Sequence, residues 1–168
     1  MEKIGIFYST NAVKTSAVAQ EIIEALGKDN VEIISVEQAW KEDFEKYNNI
    51  IIGVSTWFDG ELPTYWDELI PELSNVILKN KRIAIFGLGD QLNYPENFAD
   101  GVGILAEKFT GLGVKLTGFT STEGYRFEYS KALKGNQFQG LIIDVENQDE
   151  QTKERVKNWV KTLEFKWS

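Results

Sequence analysis

Residues 3–20, KIGIFYSTNAVKTSAVAQ, run from an apolar strand through a hydroxyl-rich turn into an amphipathic helix. Ile4, Ile6 and Tyr8 alternate with Gly5, Phe7 and Ser9, so both faces of the strand are apolar. That is the pattern of a central parallel strand, covered on two sides. Val18, Ile22 and Leu26 follow at helical spacing, and Gly27 supplies a stop. Between strand and helix, Ser9, Thr10, Asn11 and Thr15 set side-chain donors beside the unpaired N–H groups of a helix start. Such a turn can hold a phosphate through backbone donors, hydroxyls and the positive end of the helix dipole, or it can simply cap its helix.

The same rhythm repeats outward from this unit. Further apolar runs lie at residues 31–36, 49–54, 82–87 and 114–120. Helical patterns separate them: Trp40, Phe44 and Tyr47; then Trp66, Leu69, Ile70 and Leu73, shortened near Pro71; then Phe98, Val102, Leu105 and Phe109. Val156, Trp159, Val160 and Leu163 mark a last helix. Regular β-α alternation predicts an α/β fold, a doubly wound five-stranded parallel sheet with helices on both faces. After Thr120 a polar and aromatic stretch, STEGYRFEYSKALKGNQ, precedes a sixth apolar run at 138–143. Residues 121–137 therefore read as an insertion that splits the last strand, with a surface hairpin or loop as its plainest form. No repeat, linker or low-complexity tract interrupts the chain, so residues 1–168 are expected to form one domain.

Composition narrows the chemistry. With 42% hydrophobic and 26% charged residues the chain has globular composition. No apolar run approaches the roughly 20 residues of a membrane helix, so no membrane insertion is expected. The start, Met1-Glu2-Lys3 followed directly by a strand, does not read as a signal peptide, and the expected location is cytoplasmic. Cys and His are both absent, which excludes Ser-His-Asp and Cys-His mechanisms and the commonest metal ligands. A net charge of −8 argues against nucleic acid as a partner. Five Trp, six Tyr and ten Phe make an aromatic supply that a flat ligand could draw on.

Open α/β sheets bind ligands outside the carboxyl ends of their strands, where the strand order reverses. The loops after strands one, three and four should meet there: residues 9–14; STWFDGEL, 55–62; and LGDQLNYPENF, 88–98. Aromatic side chains on such loops are costly to leave in water, and two on neighbouring loops could sandwich a planar ring. Together the three loops resemble the flavodoxins, specifically their long-chain group. FYSTNAVKT lines up with the family's phosphate loop, STWFDGELPTYW with its first flavin loop and FGLGDQLNYPENF with its second. STEGYRFEYSKALKGNQFQGLIID is similar to the long-chain insertion. The resemblance implies strand order 2-1-3-4-5, for which flavodoxins are themselves the type example.

It further implies a low-potential one-electron carrier with non-covalently bound FMN, and no enzyme. By matching position, Thr10, Asn11, Lys14 and Thr15 would hold the phosphate, with Ser9 beside them and the backbone N–H groups of Ala12 and Val13. Trp57 and Tyr94 would cover the two faces of the isoalloxazine. Backbone groups around Ser55, Thr56, Phe58, Asp59 and Gly60, and of Leu88, Gly89 and Asp90, would meet the ring edge. Asn97 would lie near its pyrimidine side, and Glu146 near the ribityl chain. In the family a first-loop peptide turns toward the protonated N5 of the reduced ring; here that peptide would be Phe58–Asp59, with no glycine to ease the turn.

The phosphate loop departs from the family pattern, Thr/Ser-x-Thr-Gly-x-Thr. Ala12 lacks a hydroxyl, and Val13 in place of Gly is expected to exclude positive φ and narrow the loop, weakening FMN binding. Acidic residues crowd the two flavin loops: Asp59, Glu61, Asp67, Glu68 and Glu72, then Asp90, Glu96 and Asp100. They would disfavour an anionic reduced ring and suit basic or positively patched partners, namely a reductase, photosystem or acceptor enzyme. A monomer is expected. Rival readings are a quinone reductase-type flavin enzyme, for which Tyr94 leaves little room over the ring; a phospho-acceptor domain, which lacks its acidic residues here; and a binding module that has lost FMN.

Overall fold

The computed structural model describes residues 2–57, 60–75 and 78–165. Six parallel strands form the main sheet, and five of them, β1 (Ile4–Tyr8), β2 (Val31–Ser35), β3 (Asn49–Ser55), β4 (Arg82–Leu88) and β5 (Lys115–Thr117), run in the order β2-β1-β3-β4-β5. The expected topology is the observed one. β1 is buried at every position. Its even-numbered residues Ile4, Ile6 and Tyr8 enter one core with Ile51, Phe86 and Ile143, under helices α1 (Val13–Leu26) and α6 (Thr152–Thr162). Phe7 enters the opposite core with Ile50, Ile52, Ile83 and Ile85. There the cover is α2 (Lys41–Glu45), α3 (Thr64–Leu69) and α4 (Asp100–Gly111). The period-two exchange between faces is what a doubly covered strand requires. At Gly27, φ is 94°, so the expected stop of α1 is a residue free to take the left-handed turn.

The last strand is split, more widely than the insertion at 121–137 predicted. β5 pairs with Arg82–Ala84 at the start of β4, and a later strand, β9 (Leu141–Ile143), pairs with Phe86–Leu88 at its end. Residues 118–140 leave the sheet between them. Within the excursion, β6 (Thr120–Ser121), β7 (Leu133–Lys134) and β8 (Gln137–Phe138) make a small antiparallel sheet of order β6-β8-β7. Thr120 and Phe138 thus belong to this second sheet and not, as the apolar runs suggested, to the main one. The cause is visible at Gly118: φ is 80°, and the Trp159 Nε1–H donates to its carbonyl at 2.8 Å, turning the chain out of line.

Nor does the insertion hang free. Phe98, Tyr125, Phe127 and Phe138 pack as a ring cluster with centroids 5.2 to 6.1 Å apart. Arg155 of α6 lies 4.1 Å over the Tyr125 ring. A short helix that the periodicity did not reveal, α5 (Val145–Gln148), follows β9, with Asp144 as its N-cap. Among the described residues no helix is long and apolar enough to cross a membrane.

Candidate functional site

β1 lies between β2 and β3, so the chain turns opposite ways after β1 and after β3, and a crevice opens between their carboxyl ends. A cavity of about 380 Å³ sits there. Ala12, Val13, Lys14 and Thr15 form one end; Ser55, Thr56, Leu88, Gly89 and Asp90 the floor; Tyr94, Asn97 and Glu146 a wall. All three expected loops meet. Ala99 and Val145 complete the lining and were not anticipated, since one ends a loop and the other starts the undetected α5.

At the α1 end, Ala12 is the N-cap in extended conformation (φ −83°, ψ 106°), and no side chain caps the helix. The first N–H groups of a helix have no intrahelical acceptor, and the dipole adds partial positive charge. Thr15 is buried beside them, its residue lining the cavity. The remaining side chains of the turn face elsewhere. Ser9 Oγ and Asn11 Nδ2 both donate to the Glu37 carboxylate, the latter at 2.9 Å, and Thr10 Oγ1 donates to Ser35 Oγ at 3.1 Å. Ser9, Thr10 and Asn11 are thus outside the cavity wall. Glu37 and Ser35 come from the end of β2 and the turn after it, which a reading confined to the 9–15 stretch could not bring in. Lys14 forms an ion pair with Glu146 across the cavity; the two were expected separately.

The backbone at Val13 takes no positive φ, as expected. Val13 is the first residue of α1, positive φ among the described non-glycine residues is confined to Asn80 and Ala99, and its side chain is 82% exposed.

In the first loop, Phe58 and Asp59, and with them the Phe58–Asp59 peptide, lie outside the described residues. Trp57 pairs with Glu61 through backbone bonds of 2.8 and 2.7 Å. Its ring meets Tyr65 edge-on at 6.0 Å and does not line the cavity. Gly60 is also off the wall; φ there is 86°, and a Cβ would meet Asp100 Oδ2 at 2.6 Å, so glycine is required. Thr56 Oγ1 accepts from Gly101 N at 2.9 Å, tying the first loop to the start of α4. Burial pushes the Tyr65 hydroxyl above its ordinary value, partly offset by hydrogen bonds with Ser55 and Ser9.

In the second loop, Asp90 accepts from Leu92 N, Asn93 N and Nδ2, and Asn147 Nδ2 at 2.8 to 3.2 Å. Burial alone would raise its pKa; these bonds outweigh burial and hold it below the ordinary 3.8. Tyr94 is 51% exposed. Ala99 stands in the left-handed region (φ 52°), with neighbours pinned by the insertion: Phe98 N donates to Tyr129 O at 3.2 Å and Lys131 N to Asp100 Oδ1 at 2.8 Å. Asp100 is therefore buried and paired, not part of an exposed acidic surface. Glu61, Asp67, Glu68, Glu72 and Glu96 are exposed.

An uncapped helix start at one end of a slot walled by Tyr94, Leu88 and Val145 suits an anionic group joined to a flat apolar one. The family model for flavodoxin matches residues 6–159. The chain belongs to the flavodoxin family. A flavodoxin of Trichodesmium erythraeum is 48% identical over 97% of this chain and 96% of its own. One from Synechocystis is 43% identical over 97% and 96%. Among solved structures, Fusobacterium nucleatum flavodoxin bound to flavin mononucleotide superposes with a TM-score of 0.89 at 32% identity, covering 96% of each chain. Flavodoxins are electron-transfer proteins. Among the described residues no group of three or more acidic side chains could hold a metal ion.

Proposed function

We propose that this flavodoxin is a one-electron carrier that binds FMN in the switch-point cavity as a single domain. The observation that carries the reading is the cavity itself: an uncapped α1 N-terminus at one end and the Tyr94-walled slot at the other. Its volume of about 380 Å³ falls within the common range for small-ligand pockets. When bound, FMN supplies the electron chemistry. The chain's residues hold and tune it. The backbone N–H groups of the first turn of α1, the Thr15 hydroxyl and Lys14 would hold the phosphate, Lys14 giving up Glu146 to do so. Because Ser9, Thr10 and Asn11 are turned toward Glu37 and Ser35, the helix start carries most of the phosphate binding. Tyr94 would cover one ring face and exclude water, Trp57 would have to leave Tyr65 to cover the other, and Leu88, Gly89 and Asp90 would offer backbone groups to the ring edge. Asn97 would lie near the pyrimidine side. The excluded water leaves Asp90 and Glu96 less screened near the ring, which opposes a second negative charge on it.

The exposed Glu61, Asp67, Glu68, Glu72 and Glu96 support basic redox partners, a reductase or photosystem on one side and an acceptor enzyme on the other. We take the carrier to be monomeric and cytoplasmic. The reading is tested by adding FMN to purified protein. Quenched flavin fluorescence at one FMN per chain supports it, and free flavin at excess protein refutes it. Slower reduction by a basic reductase at higher salt supports the charge pairing; salt-independent rates refute it.

A further inference from the structure

Behind the cavity wall lies a buried polar junction. Asp144, at the end of β9, is fully buried, and Gln91 is 5% exposed. Asp144 Oδ2 accepts from both the backbone N and the Nε2 of Gln91, at 3.1 and 2.8 Å. Asp144 Oδ1 accepts from Asn147 N at 3.0 Å. The Asn147 Nδ2 group reaches both Asp144 Oδ2 at 2.9 Å and Asp90 Oδ1 at 2.8 Å. Gln91 Oε1 in turn accepts from Arg126 N of the insertion at 2.6 Å. One buried carboxylate therefore joins the second flavin loop, the start of α5 and, through Gln91, the insertion.

A buried carboxylate is tolerable only when donors surround it, and amides do so here. Apolar side chains of equal volume could fill the same space at similar stability. What they would lack is direction: a hydrogen bond sets the angle and register of a loop, and an apolar contact lets it slide. Asp90 is the first loop residue that the junction grips, and it lines the cavity.

We propose that Gln91 and Asn147, through Asp144, are positioning residues that hold the 88–94 backbone and Tyr94 in the flavin-binding arrangement before flavin arrives. Neither touches the cavity, so their effect is indirect, and it rests on the FMN reading above. The test compares Gln91→Met and Asn147→Ala with Tyr47→Phe, which removes the Tyr47–Glu32 hydrogen bond at the opposite end of the sheet. FMN affinity by fluorescence quenching, the two one-electron midpoint potentials and Tm are measured on each. Asn147 is half-buried, which keeps the test available should Gln91→Met not fold. The expected result is FMN affinity weakened about tenfold in both junction variants, with a shifted first potential. Tyr47→Phe should lower Tm and leave affinity and potentials unchanged. Affinities within twofold of the unaltered protein and unchanged potentials would overturn the proposal, as would an equal loss in Tyr47→Phe. Failure of the unaltered protein to bind FMN would overturn the FMN reading as well, and so marks the two failures apart.

Discussion

Replacing Ala12 by threonine tests the phosphate end of the cavity with two independent readouts. Ala12 already has the extended conformation of an N-cap (φ −83°, ψ 106°) but no side chain to cap with. A threonine hydroxyl there can accept from an N–H of the first turn, which typically stabilises a protein by about 1 kcal/mol, or about 3 °C in Tm at this size. The same hydroxyl keeps its proton for the phosphate. A hydrogen bond to a charged acceptor contributes roughly 1.5–3 kcal/mol, so FMN binding should tighten by about one to two powers of ten. Val13 is helical and exposed, so Val13→Gly should add nothing to affinity and cost up to about 1 kcal/mol of stability. Thermal unfolding of the flavin-free protein and fluorescence quenching by FMN at fixed ionic strength measure both effects. A folded Ala12→Thr protein with affinity within twofold of the original would refute the assignment of the α1 terminus to phosphate.

Three further outcomes follow from the geometry. Glu146→Gln removes a carboxylate that competes with phosphate for Lys14; exposed pairs contribute up to about 1 kcal/mol, so FMN affinity should rise about two- to fivefold, less at high salt. In Gly103→Ala the new Cβ would lie 2.0 Å from the Lys131 carbonyl oxygen, so the insertion backbone must shift; urea unfolding should show a loss of about 1–3 kcal/mol, and a gain would mean that the insertion does not pack on α4. Asp90 has a folded-state pKa below 3.8, so its stabilisation is present at neutral pH and lost as pH falls through that depressed value. The stability difference between the protein and Asp90→Asn should be flat near neutrality and shrink below about pH 4; a difference independent of pH down to pH 2 would remove the assignment.

Much of this was readable in the chain. Ile4 to Tyr8 announced a strand covered on both faces, β-α alternation predicted the doubly covered parallel sheet and the meeting of three loops, and the strand order came with the resemblance to flavodoxins. What escaped reading depends on partners distant in sequence or on backbone angles. Glu37 turns Ser9 and Asn11 away from the cavity from 28 and 26 residues downstream. Lys14 and Glu146 are 132 residues apart. Val13 departs from the family's glycine, and only the fold shows that α1 begins there with no positive φ. Ala99 gave no hint of its left-handed turn, because alanine ordinarily avoids it and the insertion holds it in place. The insertion itself read as a surface loop because its aromatic residues alternate with charged ones; only the fold shows Tyr125, Phe127 and Phe138 closing around Phe98.

The most direct test of the central claim is a redox titration of the purified protein loaded with FMN, followed by absorbance. The account predicts flavin bound at one per chain and reduced in two separable one-electron steps, the second at the lower potential. Flavin that stays free, or that accepts both electrons in one unresolved step, would contradict it.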